Sequence, residues 1–350
     1  MELLEILKTA SEDNASDIFI ISGAALSYKT NGRLIKINEN QLTPTMTKEL
    51  VYEIYKLGGF SFGIDEMPEK EMDFSISVVG MGRFRANIFK QRGSYAAVLR
   101  YVPFVLPEPN EIGIPESVMH LSQMKSGIVL VTGPAGSGKS TTLSCIIEQI
   151  NMERAGHIIT IEDPIEFLHK HKKSIISQRE INIDTDSYLS ALRSALRQSP
   201  DVILLGEMRD YETISVAMTA AETGQLVLST LHTLGAANTI DRIIDVFPTN
   251  QQHQIRIQLS MVLNAVISQQ LVVSKEGKHV PAFEIMTMNS AIRTLIRDEK
   301  THQIDSVIQS APGMTTMDNS LLNMYKNGII TAETAVKCAY NPDLMSKRVV

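Results

Sequence analysis

Gly133-Pro-Ala-Gly-Ser-Gly138-Lys139-Ser140-Thr141 is the stretch of this chain whose residue types and spacing bear most directly on chemistry. It meets the phosphate-loop pattern G-x-x-x-x-G-K-[ST] at every fixed position. Glycines at 133, 136 and 138 let backbone N–H groups curl around phosphate oxygens, with Pro134, Ala135 and Ser137 filling the turn. A helix that follows aims its positive N-terminal end at the same charge. Lys139 suits the β- and γ-phosphates, Ser140 suits Mg²⁺, and Thr141 opens the helix. ATP with Mg²⁺ is therefore the expected ligand. Such a loop serves kinases, helicases, transporters and motors equally, so other residues must say what hydrolysis is used for.

Three more clusters follow short apolar runs. Glu207 stands in "LLGEMRD", just past Val202–Leu205, where a carboxylate sits beside Mg²⁺ or beside the water that attacks the γ-phosphate. "ITIEDPIEF" crowds Glu162, Asp163 and Glu166 together, which is costly unless a cation or a proton-transfer role offsets it. A solvated acidic turn is the plainer alternative. His232 closes "LSTLHT", where an imidazole can sense a γ-phosphate, although a lone histidine is more often an ordinary core or surface group.

These positions need a scaffold. Ile128–Thr132, Ile158–Ile161, Val202–Leu205 and Leu226–Leu228 are too short for helices and too apolar for exposed strands. They alternate with helix candidates at Thr141–Asn151, Tyr188–Arg197 and Thr213–Glu222, which predicts an α/β fold with a doubly wound parallel sheet. Beyond residue 250 the pattern reads as mostly helical. Residues 1–102 read instead as a small α+β domain, with Leu3, Leu4, Ile6 and Leu7 on one helix stripe and Asp17–Ile21 as a strand. Asn31-Gly32 predicts a tight hairpin turn between Tyr28–Thr30 and Arg33–Ile37. In a second hairpin, Phe84, Ala86 and Ile88 point one way and Arg83, Arg85 and Asn87 the other. Residues 103–116 are the linker, because Tyr101–Pro115 holds four prolines in fifteen residues. Residues 117–350 form the second domain.

Composition narrows the classes. With 43% hydrophobic residues in 350 and a formal charge of −6, the chain is globular and lacks the basic balance of a nucleic-acid binder. Its two cysteines, Cys145 and Cys338, form neither a metal-ligand spacing nor a disulfide framework. No apolar run approaches the ~20 residues that span a bilayer, and no signal-peptide region opens the chain. A cytoplasmic protein is expected.

Taken in order, "GPAGSGKSTT", "TIEDPIEF", "LLGEMRD" and "GQLVLSTLHT" resemble the Walker A, Asp box, Walker B and His box of the secretion-superfamily ATPases. These are the hexameric motors of type II secretion and type IV pili. "SALRSALRQSPDVILLGEMRD", "AMTAAETGQLVLSTLHT", "TIDRIIDVFP" and "AIRTLIRDEK" resemble the pilus-retraction branch almost residue for residue. "ASDIFI", "NGRL" and "GRFRANIFKQRG" resemble that family's PAS-like N-terminal domain.

The resemblance implies a RecA-like core with C-terminal helices, acting as a homohexameric Mg²⁺-ATPase that retracts pili and supports twitching motility. It implies a place at the cytoplasmic face of the inner membrane, with an inner-membrane pilus platform protein as partner and no nucleic acid. It puts Glu162, Glu166, Glu207 and His232 around the γ-phosphate and Mg²⁺. Glu166 is the preferred general base, with Glu207 the alternative. Arg83, Arg85 and Arg100 become candidate fingers that reach a neighbouring subunit's nucleotide, against the alternative of a solvated basic strand face. Arg293 and Arg297 become a candidate coupling surface. Gln225, Gln198-Ser199 and Ala24-Ala25 depart from the family's usual residues, none of them at the phosphate chemistry. The alternatives are an assembly or type II secretion ATPase, a nucleic-acid motor and a non-hydrolysing adaptor. The first usually carries further N-terminal domains and a tetra-cysteine zinc insertion, for which the cysteines are lacking here.

Overall fold

In the computed structural model, which describes residues 2–13, 15–30, 33–102 and 106–349, contacts divide the chain into two units. One is Met1–Leu106 with Glu166–His169, the other Pro107–Ile165 with Lys170–Val350.

The first unit is a six-stranded antiparallel sheet with two helices. Its strands are β1 (Asp17–Ile20), β2 (Ala25–Thr30), β3 (Arg33–Gln41), β4 (Met72–Val78), β5 (Gly82–Gln91) and β6 (Ser94–Val102), in the spatial order β3-β2-β1-β6-β5-β4. Helix α1 (Leu3–Glu12) buries Leu3, Ile6, Leu7 and Ala10. That i, i+3, i+4, i+7 stripe leaves Leu4 on the flank, so Leu4 is exposed and not part of the stripe expected for it. Helix α2 (Pro44–Leu57) begins with proline, and the Thr43 side chain accepts its Met46 N–H. Along β5, Phe84, Ala86 and Ile88 are buried while Arg83, Arg85 and Asn87 are half-exposed, the alternation expected. Thr30 pairs with Arg33 across the β2–β3 hairpin; its Asn31-Gly32 turn lies outside the described residues.

The second unit is built on a seven-stranded sheet. Strands β7 (Gly127–Thr132), β8 (His157–Glu162), β9 (Ile175–Glu180), β10 (Val202–Leu205), β11 (Leu226–Leu231), β12 (Leu263–Val273) and β13 (His279–Thr287) lie in the order β13-β12-β7-β11-β10-β8-β9. All neighbours are parallel except β12 and β13. Alternate residues of β7 enter two cores: Ile128 and Leu130 face one, Val129 and Val131 the other. The first core is closed by α5 (Tyr188–Ala195), α6 (Tyr211–Glu222), α7 (Ala236–Asp245), α8 (Thr249–Val262), α9 (Ser290–Arg297) and α10 (Ile304–Ser310). The second is closed by α3 (Glu116–Met119) and α4 (Lys139–Glu153). Helices on both faces explain why Ile128–Val131 and Val202–Leu205 are apolar at every position. Among the described residues no helix is long and apolar enough to cross a membrane.

One expectation fails between residues 250 and 290. A helical reading holds for α8 and again from Ser290 onward, but Leu263–Thr287 is the β12–β13 hairpin. Helix α8 passes into β12 without a turn residue, and "MVLNAVISQQLVV" suits either period. The slot beside β7 decides. After it, α11 (Met317–Lys326), α12 (Ala332–Cys338) and α13 (Pro342–Ser346) form a small core of their own against Val272 and Ala282.

Helix α9 buries Ile292 and Ile296, as its spacing predicts. Its two arginines part company. Arg293 donates to the carbonyls of Ser260 and Met261 in the last turn of α8, a cation on a helix C-terminus. Arg297 is exposed and Arg293 half-buried.

Candidate nucleotide site

The phosphate loop is held open by backbone conformations that glycine alone adopts cheaply. Gly133, Gly136 and Gly138 have φ of 140°, 75° and 87°. A Cβ on Gly133 would lie 2.1 Å from the Gln269 carbonyl oxygen, so β12 runs directly beneath the loop. Pro134, Ala135 and Gly136 form its exposed crown, and the Ser137 hydroxyl is buried without a hydrogen-bond partner. Gly138 is the N-cap of α4, whose first residue, Lys139, is buried. The Lys139 ammonium folds back and donates to the Gly133 and Pro134 carbonyls, both at 2.9 Å. Ser140 and Thr141 lie half-buried in the first turn. One turn on, Thr142 Oγ1 donates to Gln269 Oε1 at 2.8 Å in a buried bond that moors α4 to β12. Gln269 was not legible as a site residue; its only signal is an amide inside an apolar strand. Gly133→Ala is expected to remove nucleotide binding and cost several kcal/mol, about 2–4 by analogy with other overpacked, strained sites. Calorimetric titration with ADP and a urea unfolding curve would check it.

The other candidates stand at the carboxyl ends of neighbouring strands. His232 follows β11, Glu207 follows β10 and Glu162 ends β8, so with the loop after β7 they occupy one edge of four adjacent parallel strands. Ligands of open α/β sheets bind at that edge. Glu207 is the hub. Its Oε1 lies 2.5 Å from Arg209 Nη2, and its Oε2 lies 3.6 Å from His232 Nε2, too long for a hydrogen bond. Glu162 is buried and accepts from Thr160 Oγ1 at 2.6 Å and from Gln178 Nε2 at 3.4 Å. Beside Glu207, Arg209 and His232 lies a cavity of about 320 Å³, closed by Ile214, Leu231, Ile243 and Val246.

Tyr188, at the start of α5, joins this group although its sequence position carried no signal. Burial pushes its phenol well above the ordinary value, and the charges of Glu207, Asp163 and Glu162 add to the rise. Tyr188 therefore stays a protonated donor among carboxylates. Arg209 was likewise missed, hidden as one more charge in "GEMRD".

Glu166 and the three arginines belong to the first unit. Glu166 is exposed in the segment grouped with that unit. Arg85 and Arg100 are cross-strand partners on one sheet face. Arg100 Nε bonds Asp17 Oδ1 at 3.1 Å, and Arg85 Nε lies 4.0 Å from Asp73 Oδ1. Arg83 is half-buried on the same face.

Among the described residues no group of three or more histidines, cysteines and carboxylates is placed to hold a metal alone. A hydroxyl at Ser140 and a carboxylate at Glu207 are hard oxygen donors, the sparse set that suits magnesium shared with phosphate and water.

Residues 2–305 match the family described as type II/IV secretion system protein. The chain is 43% identical over 345 residues to the type IV pilus retraction ATPase PilT of Pseudomonas aeruginosa, covering 98% of this chain and 99% of that one. It is 38% identical over 339 residues to the type IV pilus ATPase PilU of the same species, covering 96% and 88%. A crystal structure of the pilus retraction motor PilT with bound ADP superposes with a TM-score of 0.89 at 46% identity, over 99% of both chains.

Proposed function

The chain belongs to the type II/IV secretion system protein family, and on that premise we propose that it is an ATP-hydrolysing motor that powers type IV pilus retraction. One observation carries the reading: the phosphate loop, His232, Glu207 and Glu162 stand on a single sheet edge whose strands are adjacent in space.

In this reading the loop amides and the N-terminus of α4 hold the phosphates, and Lys139 turns from its own carbonyls to the β- and γ-phosphates. Ser140 and Glu207 would hold Mg²⁺, which when bound neutralises charge on the phosphate oxygens. Glu166 takes a proton from the attacking water, with Glu207 the alternative base, while Glu162 and His232 stand by the γ-phosphate. Negative charge grows on the transferring phosphoryl oxygens, and Arg83, Arg85 and Arg100 of a neighbouring subunit would meet it. That requires an assembly, and a homohexamer is proposed. Residues 1–102 and 117–350 act as its two domains, with 103–116 as the hinge. Subunits that close on ATP and open after hydrolysis would drive an inner-membrane platform protein from the cytoplasmic side.

A strain lacking this protein is expected to carry excess surface pili and to lose twitching, with both restored by the wild-type chain. Pilus counts by electron microscopy check this. Bald cells would point to an assembly motor, and unchanged pili to a different load.

A further inference from the structure

Glu284 is a deeply buried carboxyl of the second unit with no role in hydrolysis itself. It lies in β13, 2% exposed, directly opposite Ser268 of β12. Burial pushes its carboxyl up to about 7 against the pull of two backbone amides, and Asp305 and Asp318 add to the rise. The two amides explain its place. Glu284 Oε1 accepts from Ala236 N at 2.7 Å, the first residue of α7, and Oε2 accepts from Met317 N at 3.3 Å, the first residue of α11. One carboxylate thus caps two helices.

Ala236 lies just past the turn that follows His232. The same turn is pinned twice more. Gly235 N donates to Ser268 Oγ at 3.0 Å, and Thr233 and Thr239 share a bond between hydroxyls at 2.7 Å. Ser268 Oγ is in turn 3.1 Å from the Tyr340 hydroxyl, which follows α12. Strand β12 therefore holds both halves of the site through consecutive residues. Gln269 moors the phosphate-loop helix and Ser268 moors the His232 turn.

We infer that Glu284, together with Ser268, is a positioning residue for His232: it ties the turn after the histidine to the C-terminal helices, so that these helices set where the imidazole stands against Glu207. The inference rests on the reading that His232 acts at the γ-phosphate. It makes α11–α13 part of the catalytic apparatus, since Met317 belongs to their small core and Tyr340 lies between α12 and α13. A displacement of about 1 Å at a catalytic group is enough to change a rate substantially.

The test is steady-state kinetics on the full chain. Glu284→Gln keeps the shape but presents N–H₂ to one of the two amide donors and so gives up one bond. It is expected to lower kcat about tenfold or more, with KM for ATP and affinity for ADP within about twofold, because the phosphate loop is moored separately. In a His232→Ala background the same substitution should change nothing further. Tyr340→Phe leaves the Glu284 bonds intact, removes the hydroxyl that meets Ser268, Gln270 and the Gly235 backbone, and should give a loss of the same kind. The inference is overturned if folded Glu284→Gln turns over normally, if its full loss persists without the histidine, or if either variant raises KM in place of lowering kcat. Normal hydrolysis by His232→Ala alone overturns the reading of the site, and the positioning with it, without any Glu284 variant.

Discussion

Lys139→Ala is expected to reduce ATP hydrolysis by about 10³-fold, equivalent to roughly 4 kcal/mol of transition-state stabilisation. The ammonium is buried and donates to two carbonyls of its own loop, which are weaker partners than an anionic phosphate. Arg209, the cation at the end of β10, is committed to Glu207. Stability should move little, by about 1 kcal/mol, because alanine is the best helix former at the first position of α4. The variant is therefore expected to fold and assemble normally, hydrolyse ATP at background and fail to rescue retraction in a strain lacking the protein. Circular dichroism, phosphate release and a pilus count read the three parts. Retained hydrolysis with a lysine-free loop would remove the phosphate loop from the mechanism.

Glu207→Gln carries the second large effect, a fall in kcat of about 10²-fold or more. The carboxylate does two jobs that an amide of the same shape does poorly. It holds Arg209 by a charge-assisted bond beside His232, and with Ser140 it would hold magnesium. ADP affinity measured without magnesium should stay within about threefold, since the loop and Lys139 are untouched. Magnesium dependence should shift to higher concentration. Glu166→Gln is the matched arm: a base substitution lowers kcat at saturating magnesium without changing the magnesium requirement. Wild-type turnover in Glu207→Gln would show that the hub at the end of β10 is structural.

Much of this site was legible because its requirements are local. A glycine that must take positive φ, a lysine on the first helical residue and a hydroxyl beside it all fall within nine consecutive residues, Gly133–Thr141. The alternation of short apolar runs with helices was equally plain, because strands covered on both faces leave no polar period. Tyr188, Arg209 and Gln269 were not legible. Each is an ordinary residue for its element and becomes part of the site only through what folds against it. The β12–β13 hairpin failed for a related reason, since an apolar run leaving a helix satisfies either period until a neighbouring strand is present.

Sequence by itself determined the ligand class, the strand–helix rhythm and the family resemblance. Tertiary structure decided which acids stand on the sheet edge that carries the phosphate loop. The chain runs β7, β8, β10, β11, yet the sheet sets them as β7-β11-β10-β8, placing His232 and Glu207 between the phosphate loop and Glu162. Crossover connections, not distance along the chain, fix that order. The same holds for Glu284, whose two amide partners lie 48 residues before it and 33 after it and meet only where two helix ends converge on one strand.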